Sequence, residues 1–128
     1  MKDQAVKILL VEDDHFLLAM YSAKFVAEGF EVRGAMTAAE AIEDAKSFKP
    51  SLIILDISLP DQDGYEVLEK LKQLKSTASI PVAVLSNLSD PSHREKALIY
   101  GALDFWVKVQ LDPSEVVERA KKVLKLAA

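Results

Sequence analysis

Polar side chains that suit phosphate and metal chemistry directly follow several short apolar runs of this sequence. They are Glu12, Asp13 and Asp14, then Asp56, then Ser86 and Asn87, and finally Lys108. Carboxylates held close together repel one another and favour a bound cation. Mg²⁺ suits them best, because it binds oxygen ligands and leaves positions for water and for a phosphate oxygen. A lysine adds positive charge for a phosphate, and a serine hydroxyl can donate a hydrogen bond to it.

These residues are the parts needed to transfer a phosphoryl group onto a carboxylate, with Asp56 as the candidate nucleophile. The sequence has no glycine-rich phosphate loop, which disfavours a nucleotide as the source of the phosphate. Simpler roles compete, since Asp56 could cap a turn, Ser86 could be an ordinary loop residue and Lys108 a surface lysine. We favour the chemical role because residues 56–64 have the pattern Asp-x-x-x-Pro-x-x-Asp-Gly.

Apolar runs alternate with amphipathic stretches along the whole chain. The runs predict strands at Val6–Val11, Glu31–Ala35, Leu52–Leu55, Pro81–Leu85 and Leu103–Val107. Apolar spacing and end signals predict helices at His15–Glu28, from Thr37 toward Lys49–Pro50, at Tyr65–Lys75, at Pro91–Tyr100 and from Asp112 to about Leu126. Strict alternation indicates right-handed crossovers and a parallel sheet with helices on both faces. Ligands of such sheets bind at the carboxyl ends of the strands, where the polar residues lie.

Several residues have a simple structural interpretation. Phe16 and Phe25 belong to the helical apolar spacing of the first helix. Phe105 and Trp106 are neighbours on a strand and face opposite sides, and we expect Trp106 to pack in the core under a helix. We expect His93, like His15, to be a surface residue, neither a metal ligand nor a phosphodonor.

Length and composition narrow the class of protein. The chain has 128 residues, half of them hydrophobic, which predicts a single domain over residues 1–128. The net charge of −4 argues against direct nucleic-acid binding. The absence of cysteine excludes disulfides and thiolate metal sites. No secretory signal and no membrane-spanning apolar run is present, so we expect a cytoplasmic protein.

Four segments of the chain combine an apolar run with polar residues at its end. They are ILLVEDD at Ile8–Asp14, LIILDISLPDQDG at Leu52–Gly64, VAVLSN at Val82–Asn87 and GALDFWVK at Gly101–Lys108. Together they resemble the signatures of the response-regulator receiver domain of two-component signalling. The segments occur in order, each at a strand end, and the resemblance covers essentially the whole chain. It implies a flavodoxin-like α/β fold, a doubly wound sheet of five parallel strands in the order 2-1-3-4-5 with five helices.

The resemblance implies chemical roles for the matching residues. Asp56 would be the phosphoacceptor, and Lys108 would pair with the phosphoryl oxygens. Mg²⁺ would be bound by Asp13, by Asp56 and by the backbone carbonyl of Ser58. Glu12 would act largely through a metal-bound water.

The resemblance also implies a switch and its partners. A histidine kinase or histidine phosphotransfer protein would donate the phosphoryl group. Ser86, the switch hydroxyl, would move toward that group, and Phe105, the switch aromatic, would turn inward. The face of the fourth helix, fifth strand and fifth helix would then change its binding to a downstream effector. No nucleic-acid or membrane partner is expected, and the domain would be a monomer or a phosphorylation-dependent dimer.

Three positions depart from the family pattern. Val109 stands where proline commonly follows the lysine in a cis bond. A cis bond before another residue costs about 2.5–4 kcal/mol, so we expect either a trans bond with a rebuilt loop or a strained cis bond. Asn87 replaces a small residue and is expected to narrow access to Asp56. Phe105 lacks the hydroxyl of the commoner tyrosine.

Two other functions stay open. A degenerate receiver would bind partners without phosphorylation, and only Asn87 and Val109 favour that interpretation. A Mg²⁺ phosphatase with an aspartyl nucleophile usually has a second acid two residues later, where this chain has Ser58. We therefore expect no enzyme beyond self-phosphorylation and slow self-dephosphorylation, with Ser58 and Leu88 flanking the water path. The sequence fits either a stand-alone receiver or one domain of a longer chain.

Overall fold

The computed structural model describes residues 5–125, which form one parallel sheet with helices on both faces. The strands are β1 (Lys7–Val11), β2 (Glu31–Ala35), β3 (Leu52–Leu55), β4 (Val82–Ser86) and β5 (Asp104–Val107). The helices are α1 (His15–Ala27), α2 (Ala38–Phe48), α3 (Gly64–Gln73), α4 (Pro91–Ile99) and α5 (Pro113–Val123). The strand order is β2-β1-β3-β4-β5 with every neighbouring pair parallel, which confirms the predicted fold.

Local capping explains where the helices begin. The Asp112 carboxylate accepts a hydrogen bond from the Glu115 amide, and the Glu115 carboxylate accepts one from the Asp112 amide, a complete capping box. At the start of α2, Thr37 accepts from the Glu40 amide. α5 ends at Val123, whereas the predicted end, Leu126, lies outside the described residues.

The sheet separates two apolar cores. Phe105 lies in the core between the sheet and α2, α3 and α4, whereas Trp106 lies in the core under α1 and α5. Trp106 is 1% exposed, which confirms its predicted packing role. β1, β3 and β4 are buried on both faces, as their unbroken apolar runs predict. In residues 5–125, no helix combines the length and apolarity needed to cross a membrane.

Candidate functional site

The acidic residues meet because their strands are neighbours. Val11 of β1 pairs with Leu55 of β3, so the residues that follow these strands leave the sheet side by side. The Asp56 amide donates to the Val11 carbonyl at 3.0 Å. Glu12 and Asp56 are buried, whereas Asp13 is exposed. Carboxylate oxygens of Glu12, Asp13 and Asp56 lie within 4.8 Å of one another, an acidic cluster able to hold a metal ion.

Lys108 reaches this cluster from the end of β5. Its Nζ donates to Asp56 Oδ2 at 2.8 Å and also to Glu12 Oε1. The peptide bond to Val109 is trans, and residues Lys108–Gln110 form a single 3₁₀ turn. Of the two geometries expected at this departure from the family pattern, the chain adopts the trans bond with a rebuilt loop.

The charges of the cluster act on one another. Burial raises the pKa of Glu12, and the hydrogen bond from Lys108 offsets this only in part. Burial alone would lower the pKa of Lys108, but its hydrogen bonds to Asp56 and Glu12 outweigh burial and hold that pKa above the usual value. Lys108 is therefore a fixed positive charge at physiological pH, hydrogen-bonded to both buried carboxyl groups of the cluster.

The two switch candidates lie on the β4 and β5 side of the cluster. Ser86 ends β4, is 1% exposed and accepts a hydrogen bond from the Leu88 amide at 3.2 Å. Phe105 is 5% exposed, so its ring already lies inside in the conformation described. The expected inward turn of Phe105 therefore does not start from this conformation. Asn87 is exposed and lines a cavity with Tyr21 and Lys108.

The loop between β3 and α3, residues 56–63, begins with the phosphoacceptor candidate Asp56. The Ser58 amide donates to Asp56 Oδ1 at 3.0 Å, which holds Ser58 beside the cluster. The use of the Ser58 carbonyl as a metal ligand stays a prediction. As expected for an aspartate before a helix, Asp63 caps α3 by accepting from the Tyr65 amide at 2.9 Å.

Sequence reasoning missed two contacts near the site. Asp61 accepts hydrogen bonds from the first two amides of α2, a contact that no local pattern signals. The prediction of His93 as a surface residue overlooked a contact with Tyr65. His93 is half-buried, its Nδ1 lies 2.8 Å from the Tyr65 hydroxyl, and the two residues are 28 positions apart in sequence. Only the packing of α4 beside α3 brings them together.

Comparison with known proteins places the chain in a family. The family model for the response regulator receiver domain matches residues 8–121. The transcriptional regulatory protein PrrA of Mycobacterium leprae is 36% identical over 119 residues, which are 93% of this chain and 50% of that protein. Alkaline phosphatase synthesis transcriptional regulatory protein PhoP of Bacillus subtilis is 33% identical over 119 residues, 93% of this chain and 48% of that protein. The chain thus spans about half the length of the curated relatives it matches.

Solved structures agree with this assignment. A putative response regulator from Chloroflexus aurantiacus has a TM-score of 0.87 and 30% identity, covering 95% of this chain and 99% of its own. The BeF₃-activated receiver domain of Klebsiella pneumoniae RstA has a TM-score of 0.81 and 27% identity, covering 91% and 96%. The chain therefore belongs to the response-regulator receiver domains, signalling modules of two-component systems and not enzymes in the usual sense.

Proposed function

We propose that this chain is a phosphorylation-dependent switch in which Asp56 accepts a phosphoryl group from a phosphohistidine. The observation that carries the proposal is the cluster of Glu12, Asp13 and Asp56 with Lys108 bonded to its two buried members. Receiver domains partner with histidine kinases. A histidine kinase or histidine phosphotransfer protein is thus the donor that we propose.

The donor set fits Mg²⁺. Mg²⁺ prefers oxygen ligands, takes few of them from the protein and keeps several waters. Three carboxylates with oxygens within 4.8 Å of one another gather such donors around one position, and a bound water can bridge the longer distances. We propose Asp13, Asp56 and the Ser58 carbonyl as direct ligands, with Glu12 acting largely through water. Bound Mg²⁺ would offset the carboxylate charge and draw in a phosphoryl oxygen.

The side chains of the site support transfer of a phosphoryl group from a phosphohistidine to Asp56. An Asp56 carboxylate oxygen attacks the phosphorus, the new P–O bond forms as the P–N bond breaks, and the donor imidazole leaves with the electron pair. Lys108, which donates to Asp56 Oδ2 at 2.8 Å, redirects that hydrogen bond to a phosphoryl oxygen. The resulting acyl phosphate is lost slowly when water attacks it, along a path flanked by Ser58 and Leu88.

The switch would act through the segment after β4. We propose that the Ser86 hydroxyl leaves the Leu88 amide and donates to the phosphoryl group. Phe105 would exchange between the buried position described here and an exposed one, so that phosphorylation favours one of two existing states. The face of α4, β5 and α5 would then present a different surface to a downstream effector.

The remaining proposals concern the setting of the domain. We propose that residues 1–128 are one receiver domain, cytoplasmic, without a direct nucleic-acid or membrane partner. It would be a monomer or a dimer that depends on phosphorylation. Whether it acts alone or within a longer chain decides which effector reads the switch, and the full-length curated relatives are transcriptional regulators.

The test is intact mass after incubation with acetyl phosphate and Mg²⁺. We expect one added phosphoryl group on the parent, none on Asp56→Asn, and none when Mg²⁺ is removed. Asp14→Asn is the matched control, because Asp14 is an exposed neighbour whose carboxylate caps α1. That variant should still be phosphorylated.

Other outcomes favour other functions. Mg²⁺ binding by calorimetry without any phosphoryl addition would favour the degenerate receiver, a module that binds partners without phosphorylation. If the chain neither binds Mg²⁺ nor gains a phosphoryl group, the degenerate receiver is favoured more strongly. Asn87 and Val109 would then be the first residues to replace with those common in the family. Turnover of many phosphate esters per molecule would instead favour the aspartyl phosphatase.

A further inference from the structure

Asp61 connects the loop between β3 and α3 to the start of α2. It lies in the loop of residues 56–63, but its carboxylate binds α2. Oδ1 accepts from the Ala38 amide at 2.7 Å, and Oδ2 accepts from the Ala39 amide at 3.2 Å. These hydrogen bonds, chiefly that from Ala38, hold the pKa of Asp61 below its usual range, so the carboxylate is ionised at neutral pH.

The partner of Asp61 is anchored to the strand that carries the other carboxylates. Ala38 and Ala41 of α2 are fully buried in the same core as Leu9 and Val11 of β1. The start of α2 therefore packs in a core that includes β1, the strand that leads into Glu12 and Asp13. Asp61 thus links the loop after β3 to a helix that packs on β1.

Contacts within the same loop connect Asp61 to Ser58. Ser58 forms a β-bridge with Asp63, and its amide donates to Asp56 Oδ1. The Gly64 amide donates to the Ile57 carbonyl at 3.0 Å, which closes the loop at its base. The base is thus fixed by the loop itself, whereas Asp61 fixes the loop relative to α2.

We propose that Asp61 is a positioning residue that holds the 56–63 loop, and with it Ser58, in place for the cation shared by Asp13 and Asp56. The inference rests on the Mg²⁺ site of the proposed function. Without Asp61 the loop must be ordered when the cation binds, and the cost of ordering lowers affinity. Residues that orient metal ligands typically change affinity by about 10- to 100-fold, and we expect about tenfold here because the loop keeps its base.

The experiment measures Mg²⁺ affinity of the full chain by calorimetry in the parent, Asp61→Ala and Thr37→Ala. Thr37 is the matched control, because it also caps the start of α2, but its hydroxyl accepts from the Glu40 amide at 3.2 Å, a hydrogen bond within α2 and not to the loop. Both variants should lower the midpoint of thermal unfolding. Only Asp61→Ala should weaken Mg²⁺ binding about tenfold, whereas Thr37→Ala should stay within about twofold of the parent.

Two further measurements separate anchorage from charge. Asp61→Asn removes the negative charge but keeps a carbonyl oxygen that can accept from Ala38. It should bind Mg²⁺ more tightly than Asp61→Ala. Amide hydrogen exchange without metal should also rise across residues 57–63 in Asp61→Ala and not in Thr37→Ala.

The outcomes distinguish the inference from the proposed function. If the parent binds no Mg²⁺, the proposed metal site is wrong and the positioning role is wrong with it. If the parent binds Mg²⁺ and Asp61→Ala binds it equally well, the positioning role alone is wrong. An equal loss in Asp61→Ala and Asp61→Asn would assign the effect to charge and would also overturn it.

Discussion

Helices α3 and α4 follow neighbouring strands on one face of the sheet, yet different forces hold them. α3 buries five of its ten residues, including Val67, Leu68 and Leu71, whereas α4 buries only Ala97 of nine. Leu98 and Ile99 of α4 are 41% and 82% exposed. Apolar burial therefore anchors α3 far more strongly than α4.

Polar contacts take the place of burial around α4. Arg94 donates to the Phe105 carbonyl at 3.1 Å and pairs with Asp104 at 3.0 Å. His93 meets the Tyr65 hydroxyl, and the Lys96 ammonium lies 4.3 Å from the centre of the Tyr65 ring. Each such contact contributes about 0.5–1.5 kcal/mol, less than the burial of one leucine. An element held this way opens at low cost, and α4 is the helix into which the Ser86 loop leads.

The largest expected effect tests the apolar half of this comparison. Leu71→Ala removes a fully buried side chain of α3 and should lower the free energy of unfolding by about 2–5 kcal/mol. Leu98→Ala makes the same chemical change on α4, where the side chain is 41% exposed, and should cost about 1 kcal/mol or less. Urea unfolding of the two variants measures both values. Equal losses would show that α4 is packed as firmly as α3.

A smaller effect tests the ion pair that joins α4 to β5. The Asp104 carboxylate accepts from the Trp106 indole at 3.0 Å and from the Phe105 amide at 2.8 Å, and it pairs with Arg94. Burial would raise the pKa of Asp104, but these donors outweigh burial and hold the pKa below its usual 3.8. We expect Asp104→Asn to cost about 1–2 kcal/mol at pH 7.

The pH dependence of that cost follows from the sign of the pKa shift. The lowered pKa stabilises the folded state fully above pH 3.8, the usual value, and the stabilisation is lost as pH falls through the folded-state pKa. The difference in unfolding free energy between the parent and Asp104→Asn should therefore shrink below pH 3.8. Asp44→Asn, which removes a carboxylate 3.7 Å from Arg33, is the control and should cost less than about 0.5 kcal/mol. A difference that grows on acidification would contradict the assignment.

The difference between local patterns and contacts that join separate elements explains what the sequence could predict. Strand and helix types follow from apolar periodicity, and Asp63 and Asp112 cap helices from adjacent positions, so local patterns suffice for both. The acidic cluster was predictable because parallel strands bring their carboxyl ends to one edge. The exposure of Phe16 was not predictable. The residue fits the helical apolar spacing of α1, yet its side chain is 78% exposed.

Long-range polar contacts lie beyond such patterns. The bonds from Asp61 to α2 depend on the path of the loop, and the sequence separation of 22–23 residues carries no signal of it. At Val109 the sequence likewise allowed either a trans or a strained cis peptide bond. The structure has the trans bond, followed by a 3₁₀ turn. Local chemistry sets the elements, whereas the contacts between elements come from packing of the whole chain.

The smallest expected effect tests the link between the two helices themselves. Tyr65→Phe keeps the ring, which stacks on His93 with centroids 6.2 Å apart, and removes only the hydroxyl that meets His93 Nδ1 at 2.8 Å. We expect a loss of about 1 kcal/mol in unfolding free energy. Because α3 keeps its buried leucines, amide exchange should quicken in α4 and stay unchanged in α3. Tyr100→Phe, which removes a hydroxyl from the ring 6.0 Å away, is the control. Equal quickening in both helices would mean that they open together, and α4 could not then move by itself when Ser86 does.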